Sequence, residues 1–303
     1  MAHKTHSFTD RQKMSRSTFE VYHYRDENIK EVALHHHDFY EIYFFLSGNV
    51  SYNIESRSYR LSSGDVLVIS PQELHQPVFS PEKQHYERYV LWISESFLQQ
   101  YVLQGQDLSQ CFHSTRPGHT NLIRPDGVSR ELLNYLFQQL VREQDSKEFA
   151  AEMSCLSLLA QLLVVVNRMA LRAGRAPEPR ENADSVVYRI LTYINEHYSE
   201  DLTLDFLANE FFLSKYHLSR EFSRVVGTSV HRYIVQKRLI MARQLMAAGT
   251  STSEVSQLCG FGDYSNFYRA FTGEYQISPR KYQEELKREF SRQPDIPGFR
   301  ERE

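Results

Sequence analysis

Residues 207–229 read LANEFFLSKYHLSREFSRVVGTS, and this stretch decides the fold of the C-terminal third of the chain. Thr203 can cap a short helix over 204–210, and Ser214 can cap a second helix over 215–226. Their hydroxyls accept hydrogen bonds from the first unpaired amides of a helix. Only a short turn is left between the two helices. This spacing predicts a helix-turn-helix.

The second of these helices has one apolar face and one polar face. Leu218 and Phe222 lie four residues apart, so we expect both to pack inward. The N-terminal part of such a recognition helix enters the DNA major groove, where arginine can bond guanine and neighbouring side chains contact phosphates. The outward-facing residues that this helix would offer to DNA are Lys215, Tyr216, Ser219, Arg220 and Arg224.

The same arrangement recurs in CGFGDYSNFYRAF, residues 259–271. Thr252 or Ser253 is expected to cap a short helix that Gly260 closes, and a new helix begins near Asp263. A second helix-turn-helix is therefore predicted. The outward-facing residues of its recognition helix are Tyr264, Ser265, Tyr268 and Arg269.

The spacing and the charge of this region both suit double-stranded DNA. A connecting helix over 230–247 would hold the two recognition helices apart, so that they read adjacent major-groove segments about 34 Å apart. The whole chain of 303 residues has a net charge of −3, but residues 215–281 contain ten basic and four acidic residues. This region therefore carries +6 and the remainder −9. The asymmetry indicates a DNA-binding module joined to a domain of another kind.

The module resembles the AraC/XylS family of regulators from about 185 to 285. The resemblance is carried by 207–229, by RLIMARQLM (238–246), by CGFGDYSNFYRAF and by ISPRKY (277–282). It implies a DNA-binding regulator of transcription, more often an activator, that works with RNA polymerase.

The resemblance also implies base-reading positions, which are Tyr216, Ser219 and Arg220 in the first unit and Tyr264, Ser265 and Arg269 in the second. Any one of these side chains could instead contact phosphate or only solvent. The sequence departs from the family pattern at Ser256, Thr272 and Gln276. The last of these stands where the family usually has glycine, and these departures affect phosphate contacts or the last turn rather than the fold.

The N-terminal half predicts a β-domain followed by helices. Residues 19–94 contain short β-branched and aromatic runs separated by turn residues, which is typical of a sandwich or barrel. Leucines recur at helical spacing after Pro125, and a second helix is expected over about 149–171. The stretch AGRAPEPREN at 173–182 has the composition of a linker.

A cupin-like pattern lies in this half. HHHDFYEIYFFLSG resembles the cupin motif His-x-His-x3-Glu-x6-Gly, and a looser second half follows. The match uses His35, His37, Glu41, Gly48, Gly64, Pro71 and His75.

Two interpretations of these polar residues stay open. Two or three histidines with a carboxylate suit zinc, iron or manganese, which would allow a metal-binding cupin enzyme fused to a DNA-binding module. The favoured interpretation is a regulator that is not an enzyme, with no cofactor and a pocket for a small-molecule effector such as a sugar. The residues expected to bind the effector are His35, His37, Glu41, Tyr43, His75 and Trp92.

The sequence therefore predicts an α+β protein of two domains, a cupin-like β-barrel with two following helices and an all-α double helix-turn-helix. The expected divisions are a flexible arm at 1–18, a sensing and dimerisation domain at 19–172, a linker at 173–183, a DNA-binding domain at 184–290 and a flexible tail at 291–303. The helices after the barrel are apolar on more than one face, which favours a homodimer interface; the alternative is that these faces cover the barrel. No signal-peptide core, membrane span or cysteine pairing pattern is apparent, so a cytoplasmic location is expected.

Overall fold

The computed structural model describes residues 12–27, 32–71, 73–80, 85–100, 106–173 and 185–291. The chain divides into two compact units, Met1–Thr192 and Tyr193–Glu303. Nearly all of the predicted linker lies outside the described residues, as do most of the predicted arm and all but the first residue of the predicted tail.

The first unit contains two antiparallel sheets. One has the strand order β1-β7-β2-β5-β8 and the other has the order β4-β3-β6. Within the described residues the strands thus form two sheets, and the closed barrel of the prediction is not seen. The strands are β1 (Phe19–Glu27), β2 (Phe39–Ser47), β3 (Val50–Ile54), β4 (Arg57–Arg60), β5 (Val66–Ile69), β6 (His75–Phe79), β7 (His85–Ser94) and β8 (Leu122–Ile123).

The larger sheet is covered on both faces, which explains why β2 is apolar at nearly every position. Side chains alternate between the two faces of a strand. Ile42 and Phe44 lie in the cluster shared with the helices, whereas Tyr43 and Phe45 lie in the cluster shared with the smaller sheet.

Two long helices, α2 (Gly127–Glu143) and α3 (Ala151–Ala173), pack on the first of these faces. By length and composition alone, α3 is apolar enough to cross a membrane. Leu159, Leu162 and Leu163 on α3 are fully buried in the core of the unit. Short helices α1 (Glu95–Gln100) and a 3-10 turn at Gln110–Phe112 complete this part.

The remaining described elements are helices, as the sequence predicts. The helix-turn-helix pairs are α5–α6 and α8–α9, with α7 between them. The helices are α4 (Val186–His197), α5 (Leu204–Glu210), α6 (Lys215–Val226), α7 (Val230–Ala247), α8 (Thr252–Leu258), α9 (Tyr264–Tyr275) and α10 (Pro279–Ser291).

Side-chain caps set where these helices begin. The Thr203 hydroxyl accepts a hydrogen bond from the Phe206 amide, and the Ser214 hydroxyl accepts one from the His217 amide. The prediction for α8 was wrong, because the cap is Ser251 rather than Thr252 or Ser253. Ser251 accepts the Glu254 amide, which places the cap one residue earlier.

The two helix-turn-helix units repeat the same unusual backbone conformations. A left-handed residue lies in each turn, Phe212 with φ +55° and Gly260 with φ +75°. A second follows each recognition helix, Gly227 with φ +73° and Gln276 with φ +57°. Left-handed conformations favour glycine, so the family departure at Gln276 keeps the backbone while losing its preferred residue.

Gly260 is required for a second reason, which yields a prediction. A Cβ at this position would lie 2.3 Å from the Ser199 carbonyl oxygen. Gly260→Ala is expected to destabilise the C-terminal unit by roughly 2–4 kcal/mol, because strain and overlap add. Urea denaturation of the full chain, followed by circular dichroism, measures this.

Gly273→Ala is the matched control. A Cβ there meets nothing within 4 Å, and the residue lies inside α9. This substitution should stabilise the unit by roughly 0.5–1 kcal/mol. Equal unfolding midpoints for the two variants would contradict the role assigned to Gly260.

Candidate DNA interface and sensing pocket

The outward faces of α6 and α9 present the residues that the sequence predicts for DNA contact. All nine side chains are exposed, and Tyr216 keeps 75% of its surface accessible. The inward faces are fully buried through Leu218 and Phe222 on α6 and Phe267 and Phe271 on α9. The exposed residues are Lys215, Tyr216, Ser219, Arg220 and Arg224 on α6 and Tyr264, Ser265, Tyr268 and Arg269 on α9.

Neighbouring side chains orient several of the cations on these helices. Lys215 forms an ion pair with Asp205 on α5. Arg224 donates a 2.7 Å hydrogen bond from Nη2 to Glu221, and this bond lowers the pKa of the Glu221 carboxyl. Arg269 donates from Nη2 to Asn266 Oδ1 at 2.7 Å. The positive groups are therefore held at the surface before any anion arrives.

A pocket lies between the two sheets of the first unit. Its cavity volume is small, about 30 Å³. Five of its eleven lining residues are aromatic and come from β1, β2, β3 and β7, and Glu41 and Arg88 are its charged groups. The aromatic and charged residues that line the pocket are Tyr24, Glu41, Tyr43, Tyr52, Tyr86, Arg88 and Trp92.

Arg88 supplies a buried positive charge to this pocket. The residue is only 6% exposed and forms an ion pair with Asp26. Its guanidinium carbon lies 4.7 Å from the Tyr24 ring centroid and 4.1 Å from that of Tyr86. Stacking and charge pairing together offset the cost of burying this cation.

A histidine cluster lies beside the pocket and shares Glu41 with it. His37 Nε2 is 3.0 Å from Glu41 Oε2, and both residues are buried. The His75 ring centroid lies 4.8 Å from that of His37 and 4.3 Å from that of His35. An isolated β-bridge between His35 and His75 fixes these two residues. Phe39 stacks on His37 with centroids 4.0 Å apart.

Burial shifts the protonation equilibria of this cluster. The pKa of Glu41 is raised, because loss of water disfavours the carboxylate, and the nearby His75 and His35 oppose that shift. The pKa of His75 is lowered well below its ordinary value by burial and by the neighbouring histidines. His75 is therefore a neutral imidazole at neutral pH.

The structure divides the residues predicted for the effector between these two places. Glu41, Tyr43 and Trp92 line the pocket. His35, His37 and His75 are not among its lining residues and form the adjacent cluster.

Sequence reasoning missed Tyr86 and Arg88. Both lie on β7 an even number of residues from Trp92, so strand alternation places all three on one face. That signal was present in the sequence. Tyr24 and Tyr52 lie on other strands, so they could be identified only from the strand pairing. Tyr24, for example, faces Arg88 only through the β1–β7 register.

Two family models match the chain, and together they span both units. The AraC-like ligand binding domain matches residues 18–163, and a helix-turn-helix domain matches residues 207–285. The chain belongs to the AraC family of transcription regulators. This regulator thus pairs a ligand-binding domain with a DNA-binding domain, and an effector controls its binding to DNA.

Named relatives agree with the family. The HTH-type transcriptional activator RhaS of Salmonella schwarzengrund is 29% identical to this regulator over 251 residues, covering 81% of this chain and 85% of that protein. RhaS of Citrobacter koseri is 27% identical over 247 residues, with the same coverage.

Solved structures of similar proteins include unsaturated fatty acid bound ToxT from Vibrio cholerae. ToxT is 14% identical with a TM-score of 0.39, covering 90% of this chain and 97% of that one. The C-terminal domain of the response regulator yesN from Fusobacterium nucleatum is 30% identical with a TM-score of 0.32, covering 34% of this chain and 99% of that one.

Proposed function

We propose that this regulator activates transcription by binding a two-part DNA site through α6 and α9, under the control of a sugar or similar polyol. The observation that carries the proposal is the repeated recognition helix, with one buried apolar face and one exposed polar face in each unit. The RhaS relatives are named as transcriptional activators, which supports the direction of control.

Direct DNA contacts are assigned to the exposed residues of the two recognition helices. Arg220 and Arg269 are the base-reading candidates with the strongest chemistry, because a guanidinium can bond both acceptors of one guanine. Lys215 and Arg224 are placed to contact phosphate, where they would exchange their present carboxylate partners for the DNA backbone.

A polyol suits the chemistry of the pocket. Tyr43, Tyr52 and Trp92 offer flat apolar faces for a sugar ring, and their polar atoms together with Glu41 and Arg88 can bond hydroxyl groups. The pocket has no catalytic role in this proposal. The regulator acts in the cytoplasm, where it meets DNA and RNA polymerase.

A homodimer is also part of the proposal, and α3 supports it. Less than half of the most apolar part of this helix is buried. Met153, Ala160, Val164 and Leu171 lie along one side of this helix, and Met153 and Leu171 are 59% and 42% exposed. A second copy packing on this stripe would cover it. Two linked copies of the DNA-binding domain also bind DNA more tightly than one copy, because the second contact becomes intramolecular.

The two recognition helices should each read one part of the DNA site. Sites selected from a random DNA library should have two parts, and Arg220→Ala and Arg269→Ala should each relax one part. Each loss is expected to cost roughly 1–3 kcal/mol, or about 5- to 150-fold in affinity. Fluorescence anisotropy on the selected site measures this. Arg60→Ala, at an exposed position of strand β4, is the control and should bind normally. Failure to enrich any sequence would refute the DNA assignment.

The pocket should bind a sugar that acts as the effector. Among a panel of monosaccharides and disaccharides, at least one should raise the unfolding temperature of the chain and change its DNA affinity. Tyr52→Phe, which removes one pocket hydroxyl, should weaken that sugar about 5-fold. Tyr198→Phe removes the same atom outside the pocket and should have no effect. A panel in which no sugar binds the unaltered chain would count against a polyol effector.

The apolar stripe of α3 should hold the dimer together. Met153→Glu and Leu171→Glu place charges on the apolar stripe of α3, so the chain should sediment as a monomer at tens of micromolar. Gln161→Glu adds the same charge on an exposed position about a quarter turn away and should leave the dimer intact. Analytical ultracentrifugation that finds the unaltered chain monomeric at that concentration would overturn the proposal.

A further inference from the structure

The histidine cluster has a feature that the effector pocket does not explain. One nitrogen or oxygen from each of His37, Glu41 and His75 lies within 4.8 Å of the other two, and all three residues are buried. Buried polar groups of this kind are normally satisfied by hydrogen bonds, water or a metal ion.

Backbone hydrogen bonds fix the state of the His75 ring. His75 Nδ1 lies 2.9 Å from the Glu73 carbonyl oxygen, which can only accept, so Nδ1 must carry the proton. In a neutral ring the lone pair then resides on Nε2. This nitrogen is buried and has no hydrogen-bond partner among the described residues.

His35 is held in the same way. Its Nδ1 donates to the Ala33 carbonyl oxygen at 2.9 Å. A carbonyl that anchors the second ring nitrogen is the common outer support of a metal-bound histidine, because it fixes both the tautomer and the ring orientation. Of the two rings held in this way, that of His75 belongs to the group of three donors.

We propose that His37, Glu41 and His75 bind one divalent first-row transition-metal ion. Donor atoms bound at about 2.1 Å to one ion lie roughly 3–3.5 Å apart in tetrahedral or octahedral geometry. Rotation of the side chains has to bring the present atoms together by at most about 1.8 Å. Two imidazoles and a carboxylate suit zinc, iron, manganese, cobalt or nickel rather than calcium or magnesium.

Binding requires one change of protonation. The His37–Glu41 hydrogen bond holds a proton between two of the ligand atoms, and the ion replaces that proton, which leaves to solvent. Three protein ligands leave coordination positions open. Since Glu41 also lines the pocket, a ligand oxygen there could reach an open position. The site goes beyond the proposed function and does not depend on it.

The test uses the full untagged chain after treatment with a chelator. Titration with Co²⁺ should give visible absorption bands that saturate at one ion per chain, and Zn²⁺ should displace them. Inductively coupled plasma mass spectrometry after dialysis gives the stoichiometry. Glu41→Gln and His75→Gln should each weaken binding by at least about 100-fold. His231→Gln, an exposed histidine on α7, should bind like the unaltered chain.

Several outcomes are decisive. A chain that binds no Co²⁺ or Zn²⁺ at micromolar concentration overturns the site, whatever the variants do. Equal weakening by His231→Gln and His75→Gln also overturns it, because binding would then be to surface histidines. Circular dichroism shows whether each variant is folded. If a variant is not folded, proton release on Zn²⁺ addition to the unaltered chain, measured calorimetrically in two buffers, decides instead. DNA binding by the metal-free chain tests the regulator function separately.

Discussion

The sensing unit depends on one constraint, which is that the larger sheet must be covered on both faces. Alternate residues of β2 and β7 therefore pack against different parts of the unit. Ile42, Phe44 and Leu91 join the sheet to α2 and α3, whereas Tyr43 and Trp92 face the smaller sheet. A slip of one residue in strand pairing would exchange the two sets. The same register that makes the core also builds the pocket.

The DNA-binding unit relies on short local signals rather than on a sheet. Side-chain caps begin its helices, and left-handed residues lie in the turns and after the recognition helices at matching positions of the two repeats. Because each signal acts within a few residues, both repeats keep the same backbone although their sequences differ. The apolar faces then pack through fully buried aromatic residues such as Phe222 and Phe267.

This difference explains what could be predicted. The bounds of α5, α6 and α7 agree with the prediction residue for residue, because cap residues and helical periodicity are properties of short stretches of sequence. The pocket was found only in part, because Tyr24 and Tyr52 come from strands whose pairing no local signal fixes. His35 and His75 resembled pocket residues in the motif, but the bridge between them places both in the adjacent cluster. The cap of α8 was predicted wrongly for a smaller reason. Ser251, Thr252 and Ser253 are three consecutive hydroxyl residues, and each of them can cap a helix.

Glu41 belongs to both the pocket and the histidine cluster, so neither can change alone. Anything in the pocket that withdraws electron density from this carboxylate weakens its hold on the His37 ring. The nitrogen resonances of that imidazole are sensitive to such a change. Magnetic resonance of a chain with nitrogen-labelled histidine thus reports the occupancy of the pocket, with no label on the ligand.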